Sequence, residues 1–183
     1  EALLRDVVWR FGPGAMPGLM EFFRDRDFTP NLRNLAAYAA MQSGGDREKL
    51  LEEFTLYLGD PKELMTIKTV LVRNIFRVYP HEGAVDLLIQ GAKDPGYHVQ
   101  HRTECLRALQ IYDHPKVIRE LEEIITNEEN DSFIVVMAIH AYSTLMREKS
   151  VPFLKGLKDQ GKVNQNTLEL INNILKEHEK KAN

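Results

Sequence analysis

Asp94-Pro95-Gly96-Tyr97-His98-Val99-Gln100-His101-Arg102-Thr103-Glu104-Cys105-Leu106-Arg107-Ala108-Leu109 carries the pattern that the rest of the chain repeats. An acid and a proline open it. A run without breakers follows, with apolar or small residues every third or fourth position, the spacing of one helix face. The Asp-Pro pair reads as a helix start, with the acid at the N-cap and the proline, lacking an N–H and fixed in φ, in the first turn. Sliding the chain along itself returns the same opening at a period of about 34 residues. Asp60-Pro61 falls on Asp94-Pro95, and then, with one residue deleted, on Asn127-Glu128.

The match extends beyond the opening. Ala37, Leu71, Cys105 and Ala138 share one column, and Ala40, Asn74, Ala108 and Ala141 share another. In the second half of each unit Met16, Leu50, Ala84, Ile118 and Val151 align, as do Leu87, Leu121 and Leu154, with a one-residue slip where Glu53 lands. Breakers such as Gly12-Pro13-Gly14, Thr29-Pro30, Gly44-Gly45, Tyr79-Pro80 and His114-Pro115 separate helical stretches such as Leu64, Ile67, Leu71, Ile75 and Val78. The one β-branched run, Ile134-Val135-Val136, lies inside a longer helical pattern. The expected fold is all-α, with about eleven helices and no sheet.

A helix pair cannot bury its apolar face alone, so such pairs stack. Five pairs are expected in a single domain over 1–183, at about 1–27, 28–60, 61–93, 94–126 and 127–160. Residues 162–183 break the period and carry one apolar stripe, Val163, Leu168, Ile171, Ile174 and Leu175, as a terminal capping helix would. Leu3, Leu4, Val7, Val8, Trp9 and Phe11 crowd one short helix with no such cap. The expectation there is an upstream continuation or a covering partner.

With its Asp-Pro opening, its Arg102 and the small residues that follow that arginine, the 94–109 unit resembles the HEAT repeat of the HEAT/armadillo-like α-solenoids. The arginine position holds Lys68 one unit earlier, Asn34 before that, and Val135 afterwards. The resemblance implies a right-handed α-α superhelix of about five HEAT-like pairs, with a concave wall of second (B) helices that binds a protein or peptide. Some members of the group associate with nucleic acid or serve as lyase subunits, so fold analogy sets an expectation and no more.

Composition narrows the classes. Of the 183 residues 43% are hydrophobic, enough for a core and too many for a disordered tail. No apolar run approaches the ~18 residues of a membrane span. One cysteine, Cys105, excludes an intrachain disulfide and a Cys-rich zinc site. A net charge of −3 argues against a dedicated phosphate-backbone binder. Glu1 in place of methionine reads as a trimmed chain, so export stays open beside a cytoplasmic default. A monomer is expected.

No catalytic motif, cofactor motif or metal motif is found, and the chain is read as a non-enzyme without cofactor or metal. Gly12-Pro13-Gly14-Ala15-Met16-Pro17-Gly18 lacks the strand and lysine of a phosphate loop and reads as a turn between helices. His98, His101 and Cys105 share a helix face with metal-compatible spacing, but Cys105 and His101 fall in core columns, and packing is the better reading. Lys68 and Arg102 suit pairing with Asp60, Asp94 or neighbouring carbonyls. Arg5, Arg73 and Arg107, followed by His140, form a basic row that supports a nucleic-acid alternative. The column taken as partner-binding lies on the B helices: Glu52, Asp86 and Glu120, with Glu48 and Glu82 a turn earlier and Glu123 a turn later. Spaced by roughly 10 Å, such carboxylates cannot share a proton, but they can meet a basic peptide.

Overall fold

The structure, a computed structural model, describes residues 12–127, 129–161 and 163–182. The described residues are helical, with no strand among them. A 3-10 turn, Gly12–Ala15, leads into α1 (Met16–Arg24), which takes up Met16, Pro17 and Gly18 of the Gly-Pro-rich stretch. Next come α2 (Pro30–Gln42), α3 (Arg47–Gly59) and α4 (Met65–Leu71), which runs on through a π turn at Val72–Phe76. A 3-10 turn at Glu82–Ala84 precedes α5 (Val85–Lys93). Helices α6 (Val99–Leu109), α7 (Pro115–Thr126), α8 (Ser132–Met146), α9 (Val151–Gln160) and α10 (Gln165–Ala182) complete the order. The chain forms two compact units, 1–88 and 89–183, the division falling within α5. The crowded helix expected over residues 1–11, with its Arg5, lies outside the described residues.

The Asp-Pro pairs do not start helices. Asp60 is the C-cap of α3, and its carboxylate accepts from the Lys62 N–H at 2.8 Å while its carbonyl accepts from Glu63 N at 3.1 Å. Asp94 repeats this after α5, accepting from Gly96 N at 2.8 Å on the side chain and from Tyr97 N at 3.2 Å on the carbonyl. Asn127 closes α7 in the same way. Acid at the first position and proline at the second suit a β-turn as well as a helix start. The N-cap of the next helix lies four residues after Asp60, Asp94 or Asn127, at Leu64, His98 and Asp131. At Thr29-Pro30 and His114-Pro115, read from the sequence as breakers, the first residue caps the following helix and the proline takes its first position.

In residues 1–88 the core forms around Phe23, whose ring stands edge-on to Phe54 at 5.0 Å and to Tyr57 at 4.7 Å. Met20, Ala36, Ala40, Leu50, Ile67, Leu71 and Ile75 are buried with them. Phe54, not Glu53, faces this core, which is the register slip expected there. Leu64 and Val78, the ends of the predicted stripe, are 51% and 58% exposed. Leu64 is outside the helix as its cap, and the π turn, with Arg77 N donating to Val72 O at 3.0 Å, rotates the chain so that Phe76 is buried and Val78 is not.

Residues 89–183 pack Leu106, Leu109, Leu121, Ile134, Ala138, Ile139 and Leu154 into one core. The Tyr142 hydroxyl, its ring buried, donates to Glu122 at 2.8 Å. Gly91 shows why a small residue is required there. A Cβ on it would lie 2.6 Å from Cys105 Sγ and 3.1 Å from His101 Nε2. Ile171 and Leu175 of α10 are buried, with Val163, Leu168 and Ile174 half-buried, as expected of the capping stripe.

Candidate functional site

Counting from each N-cap brings the arginine column into focus. The fourth residue after the cap is Arg33 in α2, Lys68 in α4, Arg102 in α6 and Val135 in α8. Arg33, and not Asn34, therefore holds the arginine position, because the first repeat is one residue longer than the alignment assumed. Arg33 Nε donates to the Phe23 carbonyl at 2.7 Å, ten residues earlier. Its two terminal nitrogens grip Glu63 at 2.9 and 2.7 Å. Both side chains are 1% exposed. Burial pushes the Glu63 carboxyl up, but the Arg33 fork and the Leu64 N–H outweigh it and hold the group below its ordinary value.

Arg102 copies this arrangement. Its Nε donates to the Ala92 carbonyl at 2.9 Å, again ten residues earlier, and a terminal nitrogen donates to Asn130 Oδ1 at 3.0 Å. Phe23 and Ala92 are each the penultimate residue of their helix, where carbonyls are left over by the helix end. So the arginine ties one helix end to the loop before the next helix. Lys68, 6% exposed, lacks the planar fork; burial lowers its pKa, with Asp60 and Glu63 opposing.

The proposed partner-binding carboxylates fall into two sets. In residues 1–88, Glu48, Glu52, Glu82 and Asp86 are all exposed, and Glu48 lies 3.3 Å from His81 Nε2. In residues 89–183, Lys93 Nζ holds Glu120 at 2.5 Å and Glu123 at 2.7 Å. Hydrogen bonding to Lys93 lowers the Glu123 carboxyl's pKa. Glu120 is not the counterpart of Glu52 and Asp86, since the interval between those repeats is one residue shorter than assumed. It stands where Glu53 stands, and Glu53 is likewise held by the last residue of a B helix, Arg24, at 2.7 and 2.8 Å. The sequence reading missed both of these ladders, although the basic residues Arg24 and Lys93 at helix ends were visible.

His101 and Cys105 are buried, with Cys105 Sγ 3.5 Å from His101 Nε2, while His98 is exposed and caps α6 by accepting from Gln100 N. The packing reading therefore describes His101 and Cys105 as they stand. Burial pushes the Cys105 thiol far up, away from reactivity. Among the described residues no group of three or more His, Cys, Asp or Glu side chains is arranged to hold a metal ion. Of the basic row, Arg107 donates to Glu104 at 3.1 Å, and Arg73 is half-buried.

Among the clefts in residues 89–183 are two of larger volume than the one between Lys155 and Glu179. One of about 920 Å³ includes Ile111, Ile118, Leu145 and Arg147, the last at φ 50 and the only non-glycine with positive φ among the described residues. The other, of about 550 Å³, includes Ile125, Asn130, Val135, Val163 and Thr167. No helix among the described residues is long and apolar enough to cross a membrane. No family model, curated protein or solved structure matches the chain.

Proposed function

We propose that the chain is a non-catalytic interaction module, a right-handed HEAT-like α-solenoid that takes a protein or peptide of basic character on the concave surface of its B helices. The observation that carries this reading is the arginine ladder. The same carbonyl-directed contact, ten residues back, occurs in both units at the same place relative to a helix cap. A repeated tie of that kind supports a repeat architecture, and such architectures serve as extended binding walls. Glu48, Glu52, Glu82 and Asp86, all exposed, supply negative charge on B-helix segments in residues 1–88. In residues 89–183 Lys93 tempers the charge of Glu120 and Glu123. The nucleic-acid alternative has less support, because Arg107 is already engaged by Glu104.

The test is titration of a lysine-rich peptide against the wild type and against E52K/D86K/E120K, at low and at moderate salt. Reversal is expected to weaken binding by about tenfold and to flatten its salt dependence. Equal affinity of the two proteins would remove the acidic surface from the reading.

A further inference from the structure

The cleft of about 550 Å³ lies where an arginine is missing. In α2 and α6 the fourth residue after the N-cap is an arginine that reaches the carbonyl of a penultimate helix residue and an acceptor just before the next N-cap. In α8 the fourth residue is Val135, the penultimate residue of α7 is Ile125, and the residue before the Asn164 cap is Val163. All three line the cleft. The slot is thus retained in outline while its side chain is absent.

A second observation points to an occupant. Thr167, 0% exposed, lines the same cleft, and its Oγ1 has no hydrogen-bond partner. A buried hydroxyl left unsatisfied costs free energy that a donor entering the cleft would recover. Asn130 and Asn164 add amide oxygens, already accepting from Arg102 and from the Thr167 N–H at 3.0 and 2.9 Å, each with a further lone pair.

We propose that this cleft receives the guanidinium of an arginine side chain from a partner peptide. The arginine lays its methylenes along Val135, Leu157 and Val163 and donates to the Ile125 carbonyl and the Thr167 hydroxyl. A carboxylate is not required, since Arg102 itself is held by a carbonyl and an amide. Lysine fits less well, because one ammonium cannot span acceptors that a planar fork with five donors meets together. The inference rests on the reading of a peptide partner and names one of that partner's residues.

The experiment is NMR titration of the full chain with capped Gly-Arg-Gly and, separately, capped Gly-Lys-Gly. The arginine peptide should give saturable shifts at Thr167 and at the side-chain amides of Asn130 and Asn164, and the lysine peptide should bind at least about fivefold more weakly. V135R supplies the side chain from within, so it should abolish the shifts and raise the melting temperature. T167V, which removes only the hydroxyl, should weaken binding by about fivefold and keeps the test open if V135R fails to fold. E52K/D86K/E120K should bind the arginine peptide as the wild type does, so loss of the acidic surface and loss of the slot give different results. No saturable shift, equal response to lysine, or undiminished binding by both V135R and T167V would overturn the proposal.

Discussion

Replacing Arg33 with alanine tests the buried ladder most directly. The substitution removes three hydrogen bonds of 2.7, 2.9 and 2.7 Å and leaves the Glu63 side chain, 1% exposed, with Arg26, 3.9 Å away and 45% exposed, as a weaker counter-charge. It also removes the guanidinium lying 5.4 Å from the centre of the Phe23 ring. Breaking a buried pair from one side costs about 3–5 kcal/mol, because the remaining charge must be neutralised or hydrated. Arg24 pairs with Glu53 in similar geometry but is 50% exposed, so R24A should cost no more than about 1 kcal/mol. Replacing both buried partners, as in R33M/E63L, should be much milder than R33A, since no uncompensated charge remains. Urea unfolding followed by circular dichroism gives the three values, and hydrogen exchange localises the loss to residues 1–88, because a chain with two compact units need not unfold in one step. A cost for R33A below about 1 kcal/mol, or equal to that of R24A, would refute the assignment of this ion pair as a main tie of the first unit.

The same pair makes a pH prediction. Glu63 has a folded pKa below its ordinary 4.5, so its contribution is complete above that value and lost as pH falls through the lowered one. The stability gap between wild type and E63Q should therefore be level near neutrality and close in acid; a gap unchanged by acid would contradict the assignment. G91A should destabilise by about 1–3 kcal/mol despite its better helix propensity, since its Cβ would meet Cys105 Sγ at 2.6 Å. G91A/C105A should recover much of that loss in thermal melts, and failure to recover would mean that Cys105 is not the obstacle. The buried thiol of Cys105 should resist aromatic disulfide reagents in the native protein and react on denaturation, as a spectrophotometric thiol assay would show.

Helix content and the cap stripe were legible because they rest on periodic burial, which a single sequence displays. Ile171 and Leu175, His101 and Cys105 all face inward as their columns required. The Asp-Pro pairs misled for a physical reason: a turn and a helix start place the same demands on these two residues. Only the residues four positions later separate the cases, and Leu64 carries no capping side chain to announce itself. The Arg33–Glu63 pair was hidden by its separation of 30 residues, which no helical period marks. The carboxylate column was drawn at a constant interval, whereas the caps at Leu64, His98 and Asp131 are separated by 34 and then 33 residues. A one-residue drift of that size moves Glu120 from a neighbour of Asp86 to a partner of Lys93.

Between Thr29 and Asp131 the drift in the spacing of the caps is confined to one set of connections. From Asp25, Asp60 or Asn127, each the C-cap of a helix, to the next N-cap the count is always four. Between Thr29 and Asp131 the opposite connections, such as those around Gly44 and Asp113, absorb each added or deleted residue. Foreign sequence grafted at Gly44-Gly45 would leave each arginine in register with its carbonyl. A single residue inserted between Asp94 and His98 would put Arg102 eleven positions from Ala92 and unfasten it. Tolerance to grafting is therefore lopsided, and an engineer who wishes to diversify this scaffold has only one class of loop to work with.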